Sequence, residues 1–129
     1  MAEREQAGVT KYLSGDPSTW APEQDAVAAA PDNHQVLMEN DQVRVLEVTI
    51  RPGEAEPCHH HKWRSAMIVV GMEDFVDRDA DGSVIFDTRE LPEPLQLPVT
   101  LWKQSEGLHS VSNVSETTPV HLYRVEIKD

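Results

Sequence analysis

Three consecutive histidines, His59, His60 and His61, are the residues of this chain whose types and spacing best suit chemistry. On an extended segment alternate side chains share a face, so His59 and His61 point one way and His60 points the other way. Two imidazoles at this spacing can bind one divalent metal ion if further ligands come from elsewhere in the fold. The run lies inside the chain after a Pro-Gly turn, so we interpret it as a metal site. Solvated loop histidines are the alternative.

A further histidine, His109, stands in a suggestive setting. Gly107 comes just before a predicted strand, where a glycine lets the backbone approach a site closely, and His109 opens that strand. Taken alone, this setting is more typical of an ordinary surface or core histidine. His34 and His121 have no motif around them and are interpreted as ordinary histidines as well.

Taken together, these segments resemble the two signature motifs of the cupin superfamily. The first motif is a glycine, five residues and His-x-His, and Gly53, His59 and His61 match it in register. The second motif ends in His-x-x-x-Asn, which His109 and Asn113 satisfy. The resemblance implies a small jelly-roll β-barrel. It also implies one divalent metal ion bound by His59, His61 and His109.

The sequence departs from the family pattern at the fourth ligand. The glutamate of the first motif should stand at Ser65 or Ala66, and neither side chain is a carboxylate. We therefore expect three neutral imidazoles and no carboxylate around the ion. Such a centre keeps the full charge of the ion and roughly three open positions, and should favour a bidentate monoanion such as an enolate.

The resemblance to cupins with three-histidine iron sites implies a non-haem Fe(II) dioxygenase. Its substrates would be dioxygen and a small β-diketone, enol or related carbonyl compound. The affinity order of divalent metals also admits Ni, Zn, Mn or Cu. Two alternatives stay open. One is a non-oxidative metal-dependent isomerase or epimerase, for which Glu106, Glu47 and Glu56 are candidate bases. The other is a cupin that binds a small ligand without catalysis.

Other residues near the motifs are candidates for the substrate site. Arg64 follows the histidine run and could hold an anionic substrate, although a solvated arginine is an equal alternative. Trp63, Trp102 and Met67 are candidate pocket walls, because small-molecule sites are lined mostly by apolar and aromatic groups. Core packing is the alternative for Trp102. Glu106 is a candidate base or outer hydrogen-bonding group, and a surface position is its alternative.

The elements that must position these residues are short strands. Nine prolines and six glycines interrupt the chain too often for long helices. Apolar and polar residues alternate over residues 42–50 apart from Leu46, and Asp79–Gly82 is typical of a hairpin turn with a left-handed glycine. This spacing predicts an all-β sandwich or barrel of about seven or eight strands. The predicted strands cover residues 42–50, 66–70, 73–78, 83–89, 99–103, 108–114 and 119–128.

Length and composition limit the class of protein. A chain of 129 residues is enough for one domain. With 11 Lys and Arg against 23 Asp and Glu, the net charge is −12, which disfavours binding to nucleic acid or to anionic membranes. No apolar run is long enough for a transmembrane helix, and the first residues lack the pattern of a signal peptide. A single cysteine, Cys58, fits a reducing compartment, so we expect a cytoplasmic protein.

The chain divides into two parts. Residues 1–33 have no usable period and are predicted to form an irregular N-terminal arm, with one helical turn near residues 22–30 and Tyr12 or Trp20 as anchors. Such an arm is either frayed or packed on a partner subunit. Residues 34–129 are predicted to form the cupin β-barrel domain. Because open sheet edges are a hazard that pairing removes, we expect a homodimer.

Overall fold

Nine strands form about half of the structure, a computed structural model that describes residues 15–129. Residues 1–14, including Tyr12, lie outside the described residues. The strands are β1 (His34–Glu39), β2 (Val43–Ile50), β3 (His59–His61), β4 (Arg64–Gly71), β5 (Phe75–Asp79), β6 (Val84–Asp87), β7 (Val99–Lys103), β8 (Glu106–Asn113) and β9 (Val120–Ile127). The expected hairpin joins β5 to β6, and Gly82 supplies its positive φ of 85°.

The strands form two antiparallel sheets, with the orders β1-β2-β9-β4-β7 and β3-β8-β5-β6. The predicted all-β class is therefore confirmed. The sheets are not closed into a continuous barrel, however. Between the edge strands β6 and β7 runs a connector, residues 91–98, that contains three prolines. Proline has no N–H to donate, so this connector is poorly suited to extend either ladder.

The core lies on the inner face of the five-stranded sheet. Leu46, Val48 and Ile50 of β2 pack there with inward residues of β4 and β9. Leu46, which interrupts the alternation in the sequence, is fully buried. The inward face of β2 therefore continues to Arg44, which is 7% exposed.

The inward face changes character along the sheet. Val120 and Leu122 of β9 lie opposite Ile50 and Val48 of β2. Two residues further along β9 the inward positions are charged, at Arg124 and Glu126, and both are buried. One end of the interior is therefore apolar, whereas the other end holds buried charges that need partners.

Residues 15–33 pack against the fold through short helical turns. Two 3₁₀ turns, Pro17–Thr19 and Pro22–Gln24, precede the helix α1 (Ala26–Ala29), near the predicted helical turn. The Asp25 carboxylate caps α1 by accepting a hydrogen bond from the Val27 N–H at 3.1 Å. The backbones of Asp25 and His60 form a β-bridge, which fixes this segment against β3. No helix in residues 15–129 has the length and apolar character needed to cross a bilayer.

Candidate metal centre

The three histidines of β3 are all buried and divide between two faces, as their spacing predicts. The rings of His59 and His61 lie 4.9 Å apart between centroids. The His60 ring points to the opposite side, where its Nε2 lies 2.8 Å from the Ala21 carbonyl oxygen and its ring contacts Trp20. Two of the three imidazoles are therefore available to a common ligand.

His109 joins this pair from the neighbouring strand. In the ladder between β3 and β8, His59 lies directly opposite His109. The centroid of the His109 ring is 4.7 Å from that of His59 and 5.5 Å from that of His61. The structure thus brings the three histidines of the motifs together.

His34 is a fourth member of the cluster. Its ring centroid lies 4.7 Å from that of His59 and 5.6 Å from that of His61, and the residue is 3% exposed. One potential ligand atom from each of these three residues lies within 4.8 Å of the other two. The interpretation of His34 as an ordinary histidine is therefore wrong, because the start of β1 carries it into the site.

Each of the four imidazoles has its Nδ1 next to a protein oxygen. The partners are the carbonyl oxygens of Ala30 for His34 and of Pro57 for His59, and the carboxylates of Glu126 for His61 and of Asp77 for His109, at distances of 2.7–3.2 Å. An Nδ1–H that donates to such an oxygen leaves the lone pair on Nε2, which is the arrangement found behind metal-bound histidines.

The residues present fit a metal ion. The Nε2 atoms of His59 and His109 are buried and have no hydrogen-bond partner within residues 15–129. A buried nitrogen without a partner costs free energy, and metal binding would satisfy it. The ligand atoms fall into two groups that share His61: His34, His59 and His61, and His61, Glu106 and His109.

Two carboxylates also reach the cluster, so the expectation of a site without a carboxylate is wrong. Glu106 offers an oxygen within 4.8 Å of ligand atoms of His61 and His109. Glu106 and His109 are three residues apart, and a regular strand would place them on opposite faces. The pairing of β3 with β8 contains an irregularity here, with His59 opposite His109 and His61 opposite Glu106. The extra residue in β8 lets both side chains face the cluster.

Glu56 is the second carboxylate. It is 4% exposed, and its two oxygens lie 3.6 Å from His59 Nε2 and 3.8 Å from His34 Nε2. Its Oε1 accepts a hydrogen bond from the Val111 N–H, whereas its Oε2 has no hydrogen-bond partner within the described part of the chain. Burial raises the pKa of Glu56 to about 7.

The pKa values of the four clustered histidines are shifted in different directions, because burial dominates at three of them and neighbouring charge dominates at the fourth. Burial lowers the pKa of His34 to about 4 and that of His59 to about 2, and it holds the pKa of His61 well below its usual range. These rings are therefore neutral at pH 7. Burial also lowers the pKa of His109, but the negative charges of Glu106 and Asp77 outweigh that effect and raise it to about 9. The expectation of three neutral imidazoles therefore does not hold for His109 without a metal ion, and metal binding would displace a proton from this ring.

Ser65 occupies one of the two positions at which the cupin motif would place its glutamate, and Arg124 lies next to it. The guanidinium of Arg124 donates to Ser65 Oγ at 3.0 Å and to Glu106 Oε1 at 2.7 Å. Burial raises the pKa of Glu106, but the charge of Arg124 outweighs this and lowers it to about 2. The site therefore receives its anionic group from β8 and not from β4.

A cavity of about 790 Å³ lies beside the cluster. Met67 lines this cavity, together with His34, His61, His109, Glu56 and Glu106. Its other walls are mostly apolar: Val48, Ile50, Val69, Phe75, Ile85, Phe86, Leu101, Leu108, Val111, Val120 and Leu122. The polar groups at the histidine cluster thus face a largely apolar chamber, as is typical of small-molecule sites.

Arg64, Trp63 and Trp102 are not among the residues that line this cavity. Trp102 is 53% exposed, and Arg64 forms an ion pair with Asp129. The Trp63 ring lies beside the positive groups of Lys62, Arg44 and Lys128. The aromatic residues that line the cavity are Trp20, Phe75 and Phe86, and none of them lies in a motif.

The fold is that of a cupin. Solved structures similar to this chain include a cupin domain from Bordetella pertussis Tohama I, with a TM-score of 0.61, 23% identity, and coverage of 74% of this chain and 92% of that one. A cupin with a double-stranded β-helix fold from Methanocaldococcus jannaschii has a TM-score of 0.54 and 11% identity, over 73% of this chain and 77% of that one.

A third similar structure is an enzyme. It is the polyketide cyclase RemF from Streptomyces resistomycificus, with a TM-score of 0.53 and 14% identity, over 91% of this chain and 80% of that one. No protein-family model and no curated protein matches the chain. At these identities the likeness establishes the cupin fold.

Proposed function

We propose that this protein is a metal-dependent enzyme that acts on a carbonyl or enol compound with a largely apolar body. One observation carries the proposal. The Nε2 atoms of His59 and His109 are buried without a hydrogen-bond partner within residues 15–129, in a cluster beside a mostly apolar cavity. Imidazoles in this arrangement suit Fe, Ni, Cu or Zn.

Within this proposal, His34, His59, His61 and His109 are the imidazoles that would hold the ion, and the ion would supply Lewis acidity. The protein residues do the rest. Arg124 keeps Glu106 anionic beside the cluster. Glu56 lines the cavity, its Oε2 has no hydrogen-bond partner within residues 15–129, and it would accept the proton that leaves the carbon next to the carbonyl. The apolar walls exclude water from the resulting enolate.

The finer proposal is an Fe(II)-dependent dioxygenase. Its substrate would be an enolisable diketone or hydroxyketone, with dioxygen as the second substrate. A cavity of about 790 Å³ falls within the size range of sites for drug-sized ligands, so the substrate can be larger than the smallest diketones.

A non-oxidative reaction is the second candidate, and the two carboxylates favour it. An isomerase, epimerase or related enzyme needs a base that moves a proton on the substrate, and Glu56 offers one oxygen without a partner within the described residues. The structural likeness to a polyketide cyclase supports this candidate as well.

Elemental analysis followed by anaerobic loading tests the proposal. The purified protein should contain about one transition-metal ion per chain, and the double variant His59→Ala/His109→Ala should contain only a trace. The matched control is His121→Ala, since the His121 side chain is 34% exposed and bonds Glu47 outside the cavity. A folded wild-type protein that binds none of Fe(II), Ni(II), Cu(II) or Zn(II) would refute the proposal.

Oxygen uptake separates the two candidates. The Fe(II)-loaded protein is mixed with a panel of β-diketones and hydroxyketones, and dioxygen is followed with an electrode while substrate loss is followed by chromatography. Uptake in proportion to substrate loss supports the dioxygenase. Substrate conversion under argon supports the non-oxidative enzyme.

We also propose that the chain forms a homodimer through an open sheet edge. The edge strand β1 exposes Val36, Leu37 and Met38, which are 37%, 48% and 47% exposed. Exposed apolar edges favour pairing. Sedimentation of the wild type and of Leu37→Lys tests this, and a wild type that sediments as a monomer at micromolar concentration contradicts it.

A further inference from the structure

A chain of buried side chains connects the N-terminal segment to the ligand His61. The first link is Glu126, which is fully buried on β9. Its Oε2 accepts a hydrogen bond from His61 Nδ1 at 3.2 Å, and its Oε1 accepts one from Arg44 Nε. Glu126 therefore fixes both the ring orientation and the tautomer of His61, and Arg44 fixes Glu126.

The second link is Asp25, in the N-terminal segment. Both of its oxygens accept hydrogen bonds from Arg44, from Nη1 and Nη2, each at 3.0 Å. This bidentate geometry holds the guanidinium in one plane and one orientation. The side chains of Arg44 and Asp25 are 9% and 14% exposed, so the pair is weakly screened by solvent.

The same segment also contacts β3 directly, on the side to which His60 points. The Asp25 backbone forms a bridge with His60, the Ala21 carbonyl oxygen lies 2.8 Å from His60 Nε2, and the Trp20 ring stands edge-on to the His60 ring at 5.3 Å. The segment thus contacts the ligand strand directly, through these contacts with His60, and indirectly, through Arg44 and Glu126.

We propose that Asp25 is a positioning residue for the metal centre, acting through Arg44 and Glu126 to hold the Nε2 lone pair of His61 toward the ion. The inference rests on the proposed function, since it assumes that His61 binds metal. It makes the N-terminal segment part of the site, although no residue of the segment touches the ion. Loss of the Asp25 carboxylate frees Arg44 to rotate, and Glu126 then loses the group that fixes it.

Cobalt binding tests this inference without any assay of turnover. Co(II) is titrated into the metal-free full-length protein, and the visible d–d bands report both affinity and ligand geometry. Asp25→Asn should raise the Kd for Co(II) about 10-fold and change the bands, and Glu126→Gln should raise it up to about 100-fold. The matched control is Asp87→Asn, because Asp87 also holds an arginine, Arg89, with both oxygens.

The outcomes distinguish a positioning role from a merely structural one. A folded Asp25→Asn protein with a wild-type Kd and wild-type d–d bands would overturn the inference, even if its melting temperature falls. An equal effect of Asp87→Asn would overturn it as well, because the loss would then follow from any broken ion pair. If the wild type itself binds no Co(II) or other divalent metal, the inference fails together with the proposed function. If the wild type binds Co(II) and the Asp25→Asn variant has the same Kd and the same d–d bands, the inference is refuted while the proposed function stands.

Discussion

His34 is the residue whose replacement separates a four-histidine centre from the three histidines of the sequence motifs. The substitution His34→Ala removes one of the four potential imidazole ligands. It leaves in place the oxygens that hydrogen-bond Nδ1 of His59, His61 and His109. Removing a group behind a metal ligand weakens binding by about 10-fold to 100-fold. Loss of a ligand itself should reach at least the upper value, about 100-fold, or about 2.8 kcal/mol of binding free energy.

The variant must be shown to fold before its affinity is compared. His34 is 3% exposed, so the alanine leaves a void and should lower the free energy of unfolding by about 2–4 kcal/mol. Zn(II) affinity is measured by competition with a coloured chelator at a temperature where circular dichroism shows the variant to be folded. His121→Ala is the control, since its ring bonds Glu47 at 2.7 Å and does not line the cavity.

Affinity for Zn(II) within about threefold of the wild-type value in folded His34→Ala would refute this reasoning. The result would mean that His59, His61 and His109 suffice, and that the burial of His34 serves packing alone.

Three further predictions test the support of the site and its walls. Asp77→Asn should weaken Zn(II) binding by about 10-fold to 100-fold in the same chelator assay, because Asp77 anchors His109 Nδ1 at 2.8 Å; an unchanged Kd contradicts this. Met67→Trp should fill part of the cavity, weaken binding of apolar ketones followed by calorimetry, and cost about 1–3 kcal/mol of stability in urea. Asn113→Ala should cost about 2–4 kcal/mol, because its side chain bonds the Ile50 and Thr118 carbonyls and the Ser115 N–H; a loss below about 1 kcal/mol in urea unfolding counts against that role.

The sequence was sufficient to predict seven of the nine strands and three of the clustered histidines, whereas β1 and β3 were not among the predicted strands. Alternation of apolar residues, together with proline and glycine at the turns, predicted the strand over residues 99–103 with the bounds observed for β7. His59 and His61 are found by their spacing, since a period of two on an extended segment places them on one face.

The rest of the site depends on tertiary structure that leaves no local signal. His34 enters because β1 pairs with β2 in a register that sets His34 opposite Val48, and no spacing in the sequence encodes that pairing. Glu106 is a candidate in the sequence because it stands beside the second motif, but a regular period places it on the face opposite His109, and its approach to the cluster depends on an irregularity in β8. Trp63 and Trp102 do not line the cavity: Trp63 lies in the bend between β3 and β4, and Trp102, on the edge strand β7, is 53% exposed.

Along β2 and β9 the buried side chains change from apolar to charged, so the wall of the cavity and the buried charges occupy different ends of these strands. Substitutions at the Ile50 and Val120 end would reshape the chamber without touching the buried charges at the Arg44 and Glu126 end. Substitutions that change ligand preference are therefore expected to leave the residues of the proposed metal centre intact. A laboratory library restricted to the apolar end should yield altered selectivity among variants that still bind the ion.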